Sequence, residues 1–278
     1  MKKTFFISLI ALLLVAGVAQ ANNSWGKYHW NISTAESIAS PLVLGDNLTT
    51  SLWGTALSGA SLDWNASVLK NQVIAGSNTA CDPTLGGVEI CNAEYGNNGW
   101  LGIAQVWVYR GRDGHIAQGL VKVNDTYFNT TQFNTEPWRN LVMCQEVGHT
   151  FGLGHQDEDF DNANIGTCMD YTSDPDGTLS GQLDNQHPNG HDYDMMTDKY
   201  AHLNEVEKVK GGGGNGKGNG KSGGSKKEKS AGVGASIDLN DPSSWGRAIK
   251  QDARGNDSVF ERDLGNGQIL ITYVTWIK

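Results

Sequence analysis

Beyond residue 21 the chain has no apolar run long enough to cross a bilayer. It also lacks an excess of positive charge. Its 21 Lys and Arg stand against 30 Asp and Glu, a formal net charge of −9. An acidic chain is a poor partner for nucleic acid, because the phosphate backbone repels it. Cysteine is scarce, with four in 278 residues, and none follows Ala21 directly. The cysteine-linked lipid anchor of an exported lipoprotein is therefore not indicated. Proline is scarce too, at six, while glycine is plentiful at 36.

What is present begins with an export signal. Lys2 and Lys3 precede an apolar run from Phe5 to Val18, and Ala19-Gln20-Ala21 fits the small-x-small cleavage rule. Cleavage after Ala21 is expected, giving a secreted or periplasmic chain. Losing Lys2 and Lys3 takes the formal charge from −9 to −11. In an oxidising compartment four cysteines suggest two disulfides, with three pairings open. Cys81–Cys91 and Cys144–Cys168 are favoured over the other pairings and over free buried thiols. The first closes a short loop around Gly86-Gly87. The second ties residue 144 to residue 168, each just ahead of a segment discussed next.

That segment runs Gln145-Glu146-Val147-Gly148-His149-Thr150-Phe151-Gly152-Leu153-Gly154-His155. On a helix, Gln145 and His149 are four apart and share a face, with Glu146 at its edge. Gly152 can take a left-handed conformation that ends the helix and turns the chain. His155 then returns from another direction. Imidazoles converging beside a carboxylate suit a catalytic zinc site, where an open position holds a water.

The spacing resembles the metzincin zinc proteases, whose motif is H-E-x-x-H-x-x-G-x-x-H followed by a Met-turn. This chain reads Q-E-x-x-H-x-x-G-x-x-H, and Cys168-Met169-Asp170-Tyr171 follows as the Met-turn. It is most similar to bacterial matrixin-like proteins, with Gln145 in place of the first His. The resemblance implies His149 and His155 as zinc ligands and Gln145 as a weaker oxygen donor in the third place. It implies Glu146 as general base and Met169 as an apolar floor beneath the metal. Tyr171, two residues after the Met, matches a Tyr that reaches the zinc in astacin-like and serralysin-like members. It would bind the metal or stabilise the oxyanion, or else simply pack. His187 and His191 follow the Met-turn and offer a replacement ligand or a capping role. No cysteine precedes the domain to act as an inhibitory switch.

In order, residues 25–33 read as a first strand and residues 48–60 as a backing helix. Residues 68–75, 102–109 and 116–123 read as strands, residues 81–91 as a loop or hairpin, and residues 192–203 as a helix. Residues 102–108 are the expected edge strand above the zinc, where an extended substrate would pair. Pro137 opens the active-site helix. The acidic run Asp157-Glu158-Asp159 with Asp161 and Asp174 is a solvated loop or a calcium site, though its spacing matches no EF-hand.

The division expected is a signal over 1–21, a metzincin-like domain over 22–210, a Gly/Lys/Ser linker over 211–235 and a small β extension over 236–278. The fold class is α+β: a twisted mixed five-stranded sheet with a backing helix and an active-site helix. The function implied is a secreted zinc metalloendopeptidase acting on protein or peptide as a monomer, with no nucleic acid and no membrane span. The alternative is a degenerate metzincin fold that binds peptide or surface without cutting.

Overall fold

A computed structural model describes residues 23, 26–76, 80–111, 113–179, 181–211 and 238–278, with side chains omitted for 205–211. The expected export signal and almost all of the expected linker lie outside the described residues. In chain order the elements are β1 (His29–Trp30), α1 (Thr34–Ala39), β2 (Leu42–Asn47), α2 (Ser51–Trp64) and β3 (Asn71–Ala75). Then come β4 (Gly87–Ala93), β5 (Trp100–Tyr109), β6 (His115–Asn124), α3 (Asp125–Phe128), α4 (Glu136–Thr150) and α5 (Gly190–Gly211). Last are β7 (Arg247–Gln251), β8 (Asp257–Gly265) and β9 (Gln268–Trp276). Among the described residues no helix is long and apolar enough to cross a membrane.

Local chemistry accounts for the boundaries. Ser33 and Glu36 form a reciprocal capping box on α1. The Thr50 and Thr135 hydroxyls accept from the Trp53 and Trp138 amides and so start α2 and α4, the latter with Pro137 in its first turn. Asn266 and Gly267 both have positive φ, 50° and 79°, as a two-residue hairpin turn requires. They join β8 to β9.

The fold is α+β around one mixed sheet, ordered β3-β2-β4-β6-β5-β9-β8-β7, with β1 beside β6. The strands β2, β3, β4 and β6 pair in parallel. From β5 onward every pairing is antiparallel. The sheet has nine strands, not the expected five. The first five in the order match the expected set in number, and the difference is β1 beside β6 together with the C-terminal segment. It packs back and adds β7, β8 and β9 to the same sheet. The expected edge strand β5 is therefore interior, flanked by β6 and β9. The cause is unmet backbone: a bare β5 edge offers a row of N–H and C=O groups, and β9 pairs with them along its length.

One face of the sheet packs on α2 and α4. Trp53, Leu57 and Trp64 of α2 meet Leu141, Val142 and Val147 of α4 under Ala104, Val106, Val121, Ile271 and Tyr273. The other face is covered by the C-terminal segment, with Trp245 and Phe260 against Trp100, Ile103 and Val274. Both cysteine pairs form as expected, Cys81–Cys91 and Cys144–Cys168. The backing helix starts and ends later than expected, at Ser51 and Trp64, and Leu52 points outward.

Candidate functional site

The site is built where α4 ends. Gly152 has φ +97°, and a Cβ there would come within 2.2 Å of the Tyr28 carbonyl oxygen. Only glycine can turn the chain so tightly against β1. The turn brings His155 back onto the last turn of α4. The Gln156 amide donates to the Met169 carbonyl (2.6 Å) and the Tyr171 amide to the Asp157 carbonyl (3.2 Å). Residues 156–157 and 169–171 thus run side by side. The Cys144–Cys168 bond joins the helix to that second segment. Gly148 allows the close approach, since an added Cβ would sit 2.7 Å from the Met169 sulfur. Met169 lies beneath α4, fully buried.

The two imidazoles meet. His149 Nε2 and His155 Nε2 lie 2.9 Å apart. His149 Nδ1 is 2.9 Å from the Leu153 carbonyl, which can only accept, so Nδ1 carries the hydrogen. His155 Nδ1 is 2.6 Å from Glu158 Oε1. Burial alone would raise Glu158, but its bonds to His155 and Lys250 outweigh that and hold it below the usual range. It is therefore an ionised acceptor, and His155 Nδ1 also carries its hydrogen. Both Nε2 atoms then point bare lone pairs at one another. A proton or a cation between them relieves the repulsion. Burial pushes both imidazoles down, His149 furthest, so the proton is disfavoured.

Glu146, Gln145 and His149 are fully shielded from solvent and His155 is 4% exposed. Burial raises Glu146 to about 8, with the Thr275 hydrogen bond pulling the other way. The Thr275 hydroxyl lies 2.5 Å from Gln145 Oε1 and 2.6 Å from Glu146 Oε1. Its one hydrogen can serve only one of them. A protonated Glu146 supplies the second bond, in agreement with the raised pKa. Gln145 Nε2 and Glu146 Oε2 are buried with no hydrogen-bond partner among the described residues. Gly102 of β5 makes room for the carboxyl, since a Cβ there would come 2.5 Å from Glu146 Oε1.

Aromatic rings close the site. Tyr273 of β9 stacks on His149, centroids 4.3 Å apart and planes 6° from parallel. Tyr171 lies 4.5 Å from His155 and donates its hydroxyl to the Val274 carbonyl at 2.7 Å. Burial keeps the Tyr171 phenol well above its ordinary value, so it remains a donor.

Every residue singled out from the sequence motif is brought together here. His187 and His191 are not. The exposed His187 bonds Asp63 through Nδ1, and the His191 amide donates to Asn189 Oδ1 beside the start of α5. Asp157 and Asp159 turn back to cap the amides of Asp159 and Asp161, while Asp161 pairs with Lys278 and Arg254. Glu158, Tyr273 and Thr275 were missed. Glu158 sits in an acidic run that reads as solvated. Tyr273 lies 124 residues beyond His149 and Thr275 lies 130 beyond Gln145, out of reach of any local signal.

Among the described residues no group of three or more His, Cys, Asp or Glu side chains has metal-binding geometry. At α4 the side chains are two imidazoles beside the amide of Gln145, whose oxygen accepts from Thr275. No family model matches the chain, and no curated protein matches it.

A second histidine cluster responds to acid. His29 is buried beside His115 and His202, with its Nε2 3.1 Å from that of His202. Burial lowers it to about 4, and the neighbouring histidines and Lys199 add to this, against the Lys27 carbonyl bond. Between pH 6.5 and 4 the unfolded chain takes up this proton and the folded chain does not, so stability falls as pH falls. Discounted for solvent screening, the loss is roughly 1–2 kcal/mol. His29→Gln is expected to flatten that slope, recovering about 2–8 °C of Tm at pH 4.5 relative to the parent. Thermal melts at pH 7 and 4.5 read it directly; equal slopes in both proteins would refute the assignment to His29.

Proposed function

We propose that the chain is an exported zinc-dependent endopeptidase of the metzincin type. The observation that carries the proposal is the pair of bare Nε2 atoms at 2.9 Å, each fixed by a hydrogen bond through its own Nδ1. Two ligands of one tetrahedral zinc, with zinc–nitrogen bonds of about 2.0–2.1 Å, stand about 3.3 Å apart, so this pair would part by about 0.4 Å to hold the metal. The donor hydrogen bonds from Nδ1 to a carbonyl and a carboxylate are the usual support for metal-bound histidine. His149 and His155 would hold the metal, with the Gln145 oxygen as a weaker third donor. Glu158 would orient His155.

When bound, zinc would supply a Lewis-acid centre that acidifies a water and polarises a carbonyl. Glu146 would take a proton from that water and pass it to the leaving amine. It must be ionised to do so, a form that a divalent charge nearby favours. Tyr171, held as a neutral donor, would hydrogen-bond the substrate carbonyl oxygen as charge develops on it. Met169 and the disulfide would fix the floor.

The test is cleavage of a mixed quenched fluorogenic peptide library by the full mature chain. Cleavage that a chelator stops and added zinc restores is expected. Zinc-loaded, folded protein that cleaves nothing would favour the degenerate binding module instead.

A further inference from the structure

We propose that β9 lies in the groove where a substrate strand would lie, and that residues 274–278 act as a gate over the site. This rests on the endopeptidase reading and goes beyond it, since it names the form of ligand and how access is controlled.

The pairing is the first ground. β9 runs antiparallel to β5 from Tyr109↔Gln268 to Trp100↔Trp276. Alternate side chains of β9 face α4, and two of them land on the site. Tyr273 covers His149, and Thr275 bonds both Gln145 and Glu146. The intervening Val274 carbonyl takes the Tyr171 hydroxyl. An extended polypeptide laid along β5 would make these same contacts. The ligand form that fits is thus an extended segment antiparallel to β5, with a small hydroxyl residue over Glu146 in the place of Thr275. While β9 is seated, nothing else can reach those groups.

The second ground is where the support for β9 stops. β8 pairs with β9 from Gly265↔Gln268 only as far as Val259↔Tyr273. Beyond that, strand pairing of residues 274–276 is to β5 alone. Besides the site contacts of Val274 and Thr275, the end is held by the Ile277 amide to the Gly99 carbonyl (2.9 Å), Trp276 Nε1 to the Asp257 carbonyl (2.9 Å), and Lys278 to the exposed Asp161 (2.7 Å). This short end can peel from β5 while the β8–β9 hairpin stays paired.

Hydrogen exchange by mass spectrometry on the full mature chain tests the gate without reference to activity. Amides of residues 274–277 are expected to exchange at least tenfold faster than those of 269–272 and of β6. Trp276→Ala is expected to widen the gap. Ile103→Cys with Val274→Cys joins register partners on the face away from the site, and is expected to close the gap. On a quenched peptide carrying Val-Thr, Trp276→Ala should cleave at least fivefold faster than the parent. The cross-linked form should cleave at least tenfold slower. Exchange of 274–277 as slow as β6 would overturn the gate, and so would full cleavage by the cross-linked form. Fast, cross-link-sensitive exchange with no cleavage by any form would keep the gate and remove the endopeptidase reading.

Discussion

Replacing Glu146 with Gln is expected to lower peptide cleavage by about 10²–10⁴-fold, the usual worth of a positioned acid–base group. The fold should survive. Glu146 is buried and bonded to Thr275, and its protonated form donates there. A glutamine amide keeps a donor of nearly the same shape and cannot ionise. Metal content should stay at the parent level, because the imidazoles are untouched. The variant also has a pH signature. Glu146 is raised from 4.5 to about 8, so the folded chain holds that proton more tightly than the unfolded chain. The resulting stability is full below pH 4.5 and is lost as pH rises through 8. Metal-free Glu146→Gln carries no such loss. It should melt above the metal-free parent at pH 8–9 and close to it at pH 5. Retained cleavage in Glu146→Gln would remove Glu146 from the chemistry.

His149→Ala is expected to have the larger effect on the metal. It removes one of two converging nitrogens and leaves His155 with only the neutral amide of Gln145. A site so depleted should bind zinc on the order of 100-fold more weakly or worse. Its structural cost is a cavity beside Tyr273, which loses its stacking partner. A cost of roughly 1–3 kcal/mol is expected. The two disulfides and the large core under β5 should still hold the chain folded. Equilibrium dialysis with zinc beside circular dichroism separates lost binding from lost fold.

The legible parts were those that local spacing controls. The i, i+4 and i, i+10 spacings of Gln145, His149 and His155, with Gly152 between, place three side chains through one helix and one turn. Pro137, Gly152 and Asn266-Gly267 mark boundaries by backbone chemistry alone. The Cys81–Cys91 pairing followed from the short loop it closes, and Cys144–Cys168 from the place of each cysteine just ahead of the helix motif and the Met-turn. The strand β2 was missed because its six residues include Gly45, Asp46 and Asn47, which weaken any strand signal. The interior position of β5 was missed for a different reason. Pairing of residues 100–109 with 268–276 is set by an open strand edge in three dimensions, and no periodicity reports it. The same long-range step delivers Tyr273 and Thr275 to the site. The extension over 236–278 reads as β structure and forms β7, β8 and β9, but its destination was open.

The most direct measurement is zinc per chain on the purified mature protein, taken beside His149→Ala with both shown to be folded. About one zinc in the parent, lost in His149→Ala, is the result expected from two bare imidazole nitrogens facing each other. Folded parent protein that holds no zinc after incubation with excess metal would contradict the account.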